Sequence, residues 1–336
     1  AMRRFTALLL GLAAVGMSAC YGDPAPAAVT LVAYDSFPTK DTPLNTALAE
    51  FTASTGIAVK VVTAGDAGTM VTKAALTAGS PEGDVMWGVD NTLLSAATEG
   101  TVFDGEPVKV DSGDVCVNYD VAWFTDKGLE PPTTLDDLAD PRYRDLLVVQ
   151  NPATSSPGLA FLLATIARFG DDGWQNYWTA LRANGVKVVD SWESAYYEAF
   201  SGSAGSTGDR PLVVSYGTSP PAEVVFADPP IDPATGTAPT GVATGTCFQQ
   251  IEYAGVLRGT KHSSEARELL DFLTAERFQR ELPLTLFVYP ADPSVTLPDV
   301  FTRFGVRPEQ PFTMEADRIA AGREQWQDQW TKIVLG

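Results

Sequence analysis

The apolar run Leu212-Val213-Val214 ends in Ser215-Tyr216-Gly217-Thr218-Ser219, with Pro220 behind it. These five residues supply hydroxyl donors, one flat aromatic face and a glycine that lets backbone come close. That chemistry holds a small organic molecule rather than breaking a bond in one. Similar clusters follow other apolar runs: Tyr34-Asp35-Ser36, Gly65-Asp66-Ala67-Gly68, Asp90-Asn91, Ser155-Ser156-Pro157-Gly158 and Ser191-Trp192-Glu193, the last leading into Tyr196. Each alone is also an ordinary solvated turn. Together they offer carboxylates and aromatic faces for a flat, cationic ring, and helix N-termini for an anionic tail. The candidate contacts are Tyr34, Asp35, Ser36, Asp66, Gly68, Asp90, Ser156, Gly158, Trp192, Tyr196, Tyr216 and Thr218.

Signatures of covalent chemistry are missing. His262 is the single histidine and sits in a Lys-His-Ser-Ser cluster, which reads as exposed surface with no nucleophile partner. There is no H-E-x-x-H, P-loop, G-x-S-x-G or paired-cysteine zinc motif. Asp136-Asp137 and Asp171-Asp172 stand where helix N-termini favour anions, so no metal site is expected of them.

The elements that must position the clusters alternate in type. Strands are expected at Val29 to Ala33, Ile57 to Val62 and Asp84 to Val89, with helices between them. The first helix, Leu44 to Thr55, carries Leu44, Ala47, Leu48 and Phe51 on one face and stops at Gly56. This order predicts an α/β fold whose sheet is parallel and has helices on both faces. In such sheets ligands bind beyond the carboxyl ends of the strands. Further strands are expected at Val115 to Tyr119, Leu146 to Val149, Val186 to Val189, Leu212 to Val214 and Phe248 to Leu257. Asp228 to Gly245 reads as a surface excursion, Ser264 to Leu282 as one amphipathic helix, and Glu315 to Val334 as a closing helix. Trp174, Trp178, Trp326 and Trp330 are helix-spaced core. The chain parses as lobe one over 29–114, lobe two over 115–247, and 248–336 as the rest of lobe one with closing helices. Two crossing strands near Val115 and Cys247 would make the hinge of a cleft.

Composition bounds the partners. Residues 1–20 read as a lipoprotein signal peptide: Arg3-Arg4, an apolar stretch from Phe5 to Val15, then Met17-Ser18-Ala19-Cys20, with Cys20 the lipidation site. Residues 21–28 form a tether. Roughly 310 residues remain, enough for two lobes. A net charge of −19 argues against nucleic acid and suits a cationic ligand. In an oxidising compartment Cys116 and Cys247 are expected to pair; two buried thiols, or one reactive thiol, are the alternatives.

Five motifs, in order, resemble the thiamine-binding periplasmic proteins: Tyr-Asp-Ser-Phe from Tyr34, Gly-Val-Asp-Asn from Gly88, Thr-Ser-Ser-Pro-Gly-Leu from Thr154, Ser-Trp-Glu-Ser-Ala-Tyr from Ser191 and Ser-Tyr-Gly-Thr-Ser-Pro from Ser215. The resemblance implies a two-lobed type II periplasmic-binding-protein fold that closes on thiamine or its phosphates and delivers them to the membrane permease of an ABC importer. It would be an exported, lipid-anchored monomer with no cofactor. The resemblance also implies ring contacts at Asp35, Tyr34 and Tyr216, and a phosphate end at Trp192, Ser156 and Gly158, with Asp66 and Gly68 on the second-strand loop. Phe287 stands where the family carries tryptophan, a smaller face for a cation. The other reading is an enzyme resembling type I thiaminases, with Cys116 as nucleophile and Glu252 as base. The redox state of Cys116 separates the two, since a disulfide cannot attack.

Overall fold

A computed structural model of the chain describes residues 27–336. The expected leader, Cys20 and the tether up to residue 26 lie outside the described residues.

The chain builds β1 (Ala28–Ala33), α1 (Pro43–Thr55), β2 (Ala58–Thr63), α2 (Ala67–Leu76), β3 (Val85–Asp90), α3 (Leu94–Glu99) and β4 (Val108–Ser112) before it leaves the first sheet. Its second sheet takes β5 (Val115–Asp120), α4 (Val121–Lys127), β6 (Leu147–Gln150), α5 (Ser156–Phe169), α6 (Trp174–Ala183), β7 (Lys187–Val189), β8 (Leu212–Tyr216), α7 (Pro220–Val225) and β9 (Thr240–Phe248). It returns with β10 (Ile251–Val256), α8 (Ser263–Thr274), α9 (Glu276–Gln279), α10 (Leu282–Thr285) and β11 (Tyr289–Pro290). The chain closes with α11 (Asp299–Phe304) and α12 (Ala316–Val334). Strand order is β11-β4-β10-β3-β1-β2 in the first sheet and β7-β6-β8-β5-β9 in the second.

The expected parallel sheet is corrected to two mixed ones. β1 runs parallel to β2 and β3, but β10 is antiparallel to both β3 and β4. In the second sheet β5 is antiparallel to β8 and β9. The cause is the crossing itself: a chain that leaves one sheet and comes back re-enters it in the opposite sense. The surface excursion expected up to Gly245 ends earlier, because β9 starts at Thr240. The strand expected over Phe248 to Leu257 is two strands, β9 ending in one lobe and β10 beginning in the other.

Each crossing is two residues long, Gly113-Asp114 outward and Gln249-Gln250 on the return. A third passage follows β11: Val306 N–H donates to Gly217 O at 2.7 Å, α11 lies against α7, and α12 packs on α6 while touching α3. Cys116 on β5 and Cys247 on β9 are bonded, with Cα atoms 4.2 Å apart and a sequence separation of 131. The disulfide therefore ties the strand that enters the second lobe to the strand that leaves it.

The helices form for local reasons that the packing confirms. In α1 the side chain of Asn45 accepts from the Thr42 N–H at 3.1 Å, and Gly56 ends the helix in the left-handed region at φ 78°. Its buried residues are Leu44, Ala47, Leu48 and Phe51, the expected face. The single helix expected over Ser264 to Leu282 is instead α8 and α9, broken where Ala275 is extended (ψ 151°). Buried Gln279 holds the break, its Nε2 donating to Leu273 O at 2.9 Å and Val110 O at 3.0 Å. Tertiary hydrogen bonds override local helix preference there.

Candidate functional site

A cleft of about 290 Å³ lies at the seam of the lobes, near the lower end of the roughly 300–1,000 Å³ usual for small-molecule sites. From the first lobe come Tyr34 and Ser36 after β1, Asp66 and Ala67 at the start of α2, Asp111 on β4, Glu252 on β10 and the segment Thr285 to Val288. From the second come Ser156 at the start of α5, Trp192, Tyr196 and Tyr197, Tyr216 at the end of β8 and Ser219 after it, and Ala222, Glu223 and Phe226 of α7 and its end. Gln250 enters from the return crossing.

Aromatic side chains form a connected wall. Trp192 stacks on Tyr196 with ring centroids 5.0 Å apart and planes at 15°, and meets Tyr197 edge-on at 5.2 Å. The Trp192 indole N–H donates to Ser215 Oγ at 3.0 Å, fixing the ring against β8. Tyr196 and Tyr197 lie in a π-helix, Ser194–Ala199, a widened turn often found at functional sites. The Tyr196 hydroxyl donates to Glu223 Oε1 at 2.6 Å, and the Ala204 N–H occupies Oε2 at 2.7 Å. Burial pushes Tyr34, Tyr196 and Tyr216 well up from the usual phenol range, so all three keep their protons.

The lobes touch across the cleft. Asp66 Oδ1 accepts from the Ala67 N–H at 2.9 Å and Oδ2 accepts from the Trp192 N–H of the other lobe at 2.8 Å. Burial raises the Asp66 carboxyl, opposed by these hydrogen bonds. At the mouth Phe226 and Phe287 meet edge-on at 5.8 Å, Phe287 with its backbone at φ 54°, a strained position for a non-glycine residue.

Four carboxyl groups line the cleft, Asp66, Asp111, Glu223 and Glu252, and among the described residues no lysine, arginine or histidine does. Asp111 and Glu252 face each other across the β4–β10 pair. Glu252 Oε2 accepts from Trp87 Nε1 at 3.1 Å, and the Asp111 and Glu252 carboxyls hydrogen-bond to each other. Desolvation raises Asp111 to about 7, and desolvation together with the Asp111 charge raises Glu252 well above the carboxylate range.

The structure thus gathers Tyr34, Ser36, Asp66, Ser156, Trp192, Tyr196, Tyr216 and Phe287 on one cleft. It does not bring Asp35, Gly68, Asp90, Gly158 or Thr218 to that wall. Asp35 is exposed and its Oδ1 accepts from the Gly65 N–H at 2.9 Å, tying the exits of β1 and β2 together. Asp90 is buried behind the cleft, accepting from Gln250 Nε2 at 2.7 Å and the Thr92 N–H at 2.9 Å, so it braces the hinge. Gly68 and Gly158 are packing positions: a Cβ would lie 2.7 Å from the Thr154 carbonyl oxygen in one case and 2.5 Å from that of Gln150 in the other. Thr218 is fully buried. Sequence reasoning missed Asp111, Glu223, Gln250 and Phe226. Asp111 sits in Val-Lys-Val-Asp-Ser and Glu223 after Pro-Pro, contexts that carry no ligand signal.

Two lobes on a short hinge, with a ligand-sized cleft walled from both sides, define a solute-binding protein. The chain belongs to the bacterial extracellular solute-binding protein family, whose model matches residues 35–280. It is similar to the thiamine-binding periplasmic proteins of Salmonella typhimurium, at 28% identity, and Escherichia coli, at 27%, each over 319 residues covering 91% of this chain and 93% of the relative. A solved periplasmic thiamin binding protein superposes with a TM-score of 0.78 at 25% identity, covering 91% of this chain and 96% of that one. The periplasmic binding protein P5PA shares the fold, with a TM-score of 0.72 at 12% identity over 92% of this chain and 99% of its own. These relatives are binding proteins, and the thiaminase-like alternative falls: Cys116 is bonded to Cys247 and offers no thiolate.

Proposed function

We propose that the protein is an exported receptor that binds thiamine between its lobes and hands it to the membrane permease of an ABC importer. The observation that carries the reading is the cleft wall itself: tyrosines and a tryptophan from both lobes with four carboxyls and, among the described residues, no basic side chain. Thiamine brings a cationic thiazolium ring and a flat aminopyrimidine. Aromatic faces attract the cation, and those carboxyls that stay ionised do so more strongly in a poorly hydrated cleft. Contacts from both lobes favour the closed arrangement, which is how binding becomes a signal for a permease. The relatives named for thiamine binding support the choice.

Lipid attachment at Cys20 belongs to the same proposal and rests on Met17-Ser18-Ala19-Cys20. Cys20→Ala should move the protein from the membrane fraction to the soluble extracellular or periplasmic fraction.

The ligand is tested by thermal melting. Thiamine at 100 times its Kd should stabilise the protein by about 2.7 kcal/mol, a rise of several degrees. An unchanged melting temperature at millimolar thiamine would defeat the proposal.

A further inference from the structure

We infer that the cleft takes thiamine and turns away its phosphate esters, with Glu223 as the residue that sets the choice. The inference rests on the thiamine reading and narrows it to the unphosphorylated ligand.

A phosphomonoester carries a charge of roughly −1.5 to −2 at neutral pH and has oxygens that need donors. Proteins meet that demand with lysine or arginine, or with free N–H groups at helix N-termini. Among the described residues no basic side chain lines this cleft. Backbone donors on its wall are already taken by the protein's own carboxyls. The Ala67 N–H, at the start of α2, donates to Asp66 Oδ1 at 2.9 Å, and the Trp192 N–H to Asp66 Oδ2 at 2.8 Å. The Ala204 N–H donates to Glu223 Oε2 at 2.7 Å. Helix α7 opens with Pro220 and Pro221, which have no N–H to give. At the start of α5 the Ser155 hydroxyl faces Asp66 and the Ser156 hydroxyl faces Asp90.

Glu223 adds repulsion to this lack of donors. It is 4% exposed and stands on the second-lobe wall of the cleft. The Tyr196 hydroxyl donates to Oε1 at 2.6 Å while the Ala204 N–H holds Oε2, so both oxygens accept, an arrangement that favours the ionised carboxylate. Burial raises the Glu223 carboxyl, and these two donors oppose the rise. A charge held in a dry wall acts across the cleft with little screening. In a cavity of about 290 Å³ a phosphate would lie beside Glu223 or another of the four carboxyls wherever the tail was placed. The mouth gives no relief, since Phe226 and Phe287 meet there and neither side chain has a donor. The neutral hydroxyl of thiamine meets none of these obstacles, because it donates to a carboxylate instead of competing with one.

The test is calorimetric titration with thiamine, thiamine monophosphate and thiamine diphosphate. The wild-type protein should bind thiamine at least about tenfold more tightly than either ester, since like charges brought together in a desolvated site are strongly disfavoured. Glu223→Gln keeps the size and removes the charge, and should narrow the ratio of thiamine to monophosphate affinity about threefold or more. Glu223→Asp keeps the charge and should leave the ratio close to that of the wild type, which a role in packing alone would not do. Melting temperatures show whether each variant is folded, and the wild-type comparison decides the exclusion even where a variant is not. Equal or tighter binding of the monophosphate by the wild type overturns the inference and leaves the thiamine reading standing. A ratio that Glu223→Gln leaves intact, or that both variants narrow alike, overturns the role given to Glu223. Failure to bind any of the three ligands overturns the thiamine reading and the inference with it.

Discussion

Asp66 spends its two oxygens on backbone donors from different lobes, one at the start of α2 and one at Trp192. A carboxylate hydrogen bond of this kind is worth roughly 1.5–3 kcal/mol. Asp66→Ala should weaken thiamine binding about ten- to a hundredfold by loosening closure, whereas Asp35→Asn, exposed and outside the cleft, should leave affinity nearly unchanged. Titration of both variants checks the contrast, and an Asp35 effect as large as that of Asp66 would contradict the assignment. The pH dependence of the ligand-free protein follows from Asp111. Its carboxyl is raised by desolvation to about 7 in the folded chain, so the folded state holds the proton more tightly than the unfolded one. Its contribution is therefore most favourable at low pH and is lost as pH rises from the ordinary carboxylate range through about 7. Melting curves of the ligand-free protein should show Asp111→Asn gaining on the wild type between pH 4 and 8; a constant difference would contradict the raised carboxyl. At this scale the sequence showed the aromatic and hydroxyl members of the wall, because they cluster at strand exits. Asp111 and Glu252 were hidden as site partners because they lie 141 positions apart and meet only through β4–β10 pairing.

Among the elements, α12 has the widest reach. Trp330 is fully buried and meets Trp178 of α6 edge-on at 5.5 Å, while Arg323 donates to Ser95 of α3 at 2.7 Å. One helix thus binds to both lobes. Trp330→Ala should destabilise the protein by about 3–5 kcal/mol, read by denaturant unfolding, with little change in the affinity of the folded fraction. A loss below 1 kcal/mol would show that the packing there is loose. Helical spacing marked Trp326 and Trp330 as core, and the amphipathic face of α1 was legible residue by residue. The break between α8 and α9 was not, because its cause is Gln279 bonding to Val110 on a distant strand. The antiparallel strands were equally hidden: nothing local to Ile251–Val256 records that the chain has come back from another lobe.

On the scale of the whole molecule, the hinge is two short crossings side by side, and the disulfide pins their strands within the second lobe. The bond closes a loop of 131 residues, worth about 5 kcal/mol in the chain-entropy model. Cys116→Ser with Cys247→Ser should lower the unfolding free energy by about 2–5 kcal/mol while thiamine affinity stays within a few-fold of the wild type. A large loss of affinity in the folded variant would mean that the bond sets lobe geometry as well as stability. The central claim, that thiamine is held between the lobes, is most directly tested by calorimetric titration of thiamine into the wild type and into the paired variant Tyr34→Ala, Tyr216→Ala, which removes one cleft tyrosine from each lobe. The account expects one site at about micromolar Kd or tighter in the wild type and at least a hundredfold loss in the variant, with its melting temperature close to that of the wild type. Equal affinity in the two proteins, or no binding heat in the wild type, would contradict it.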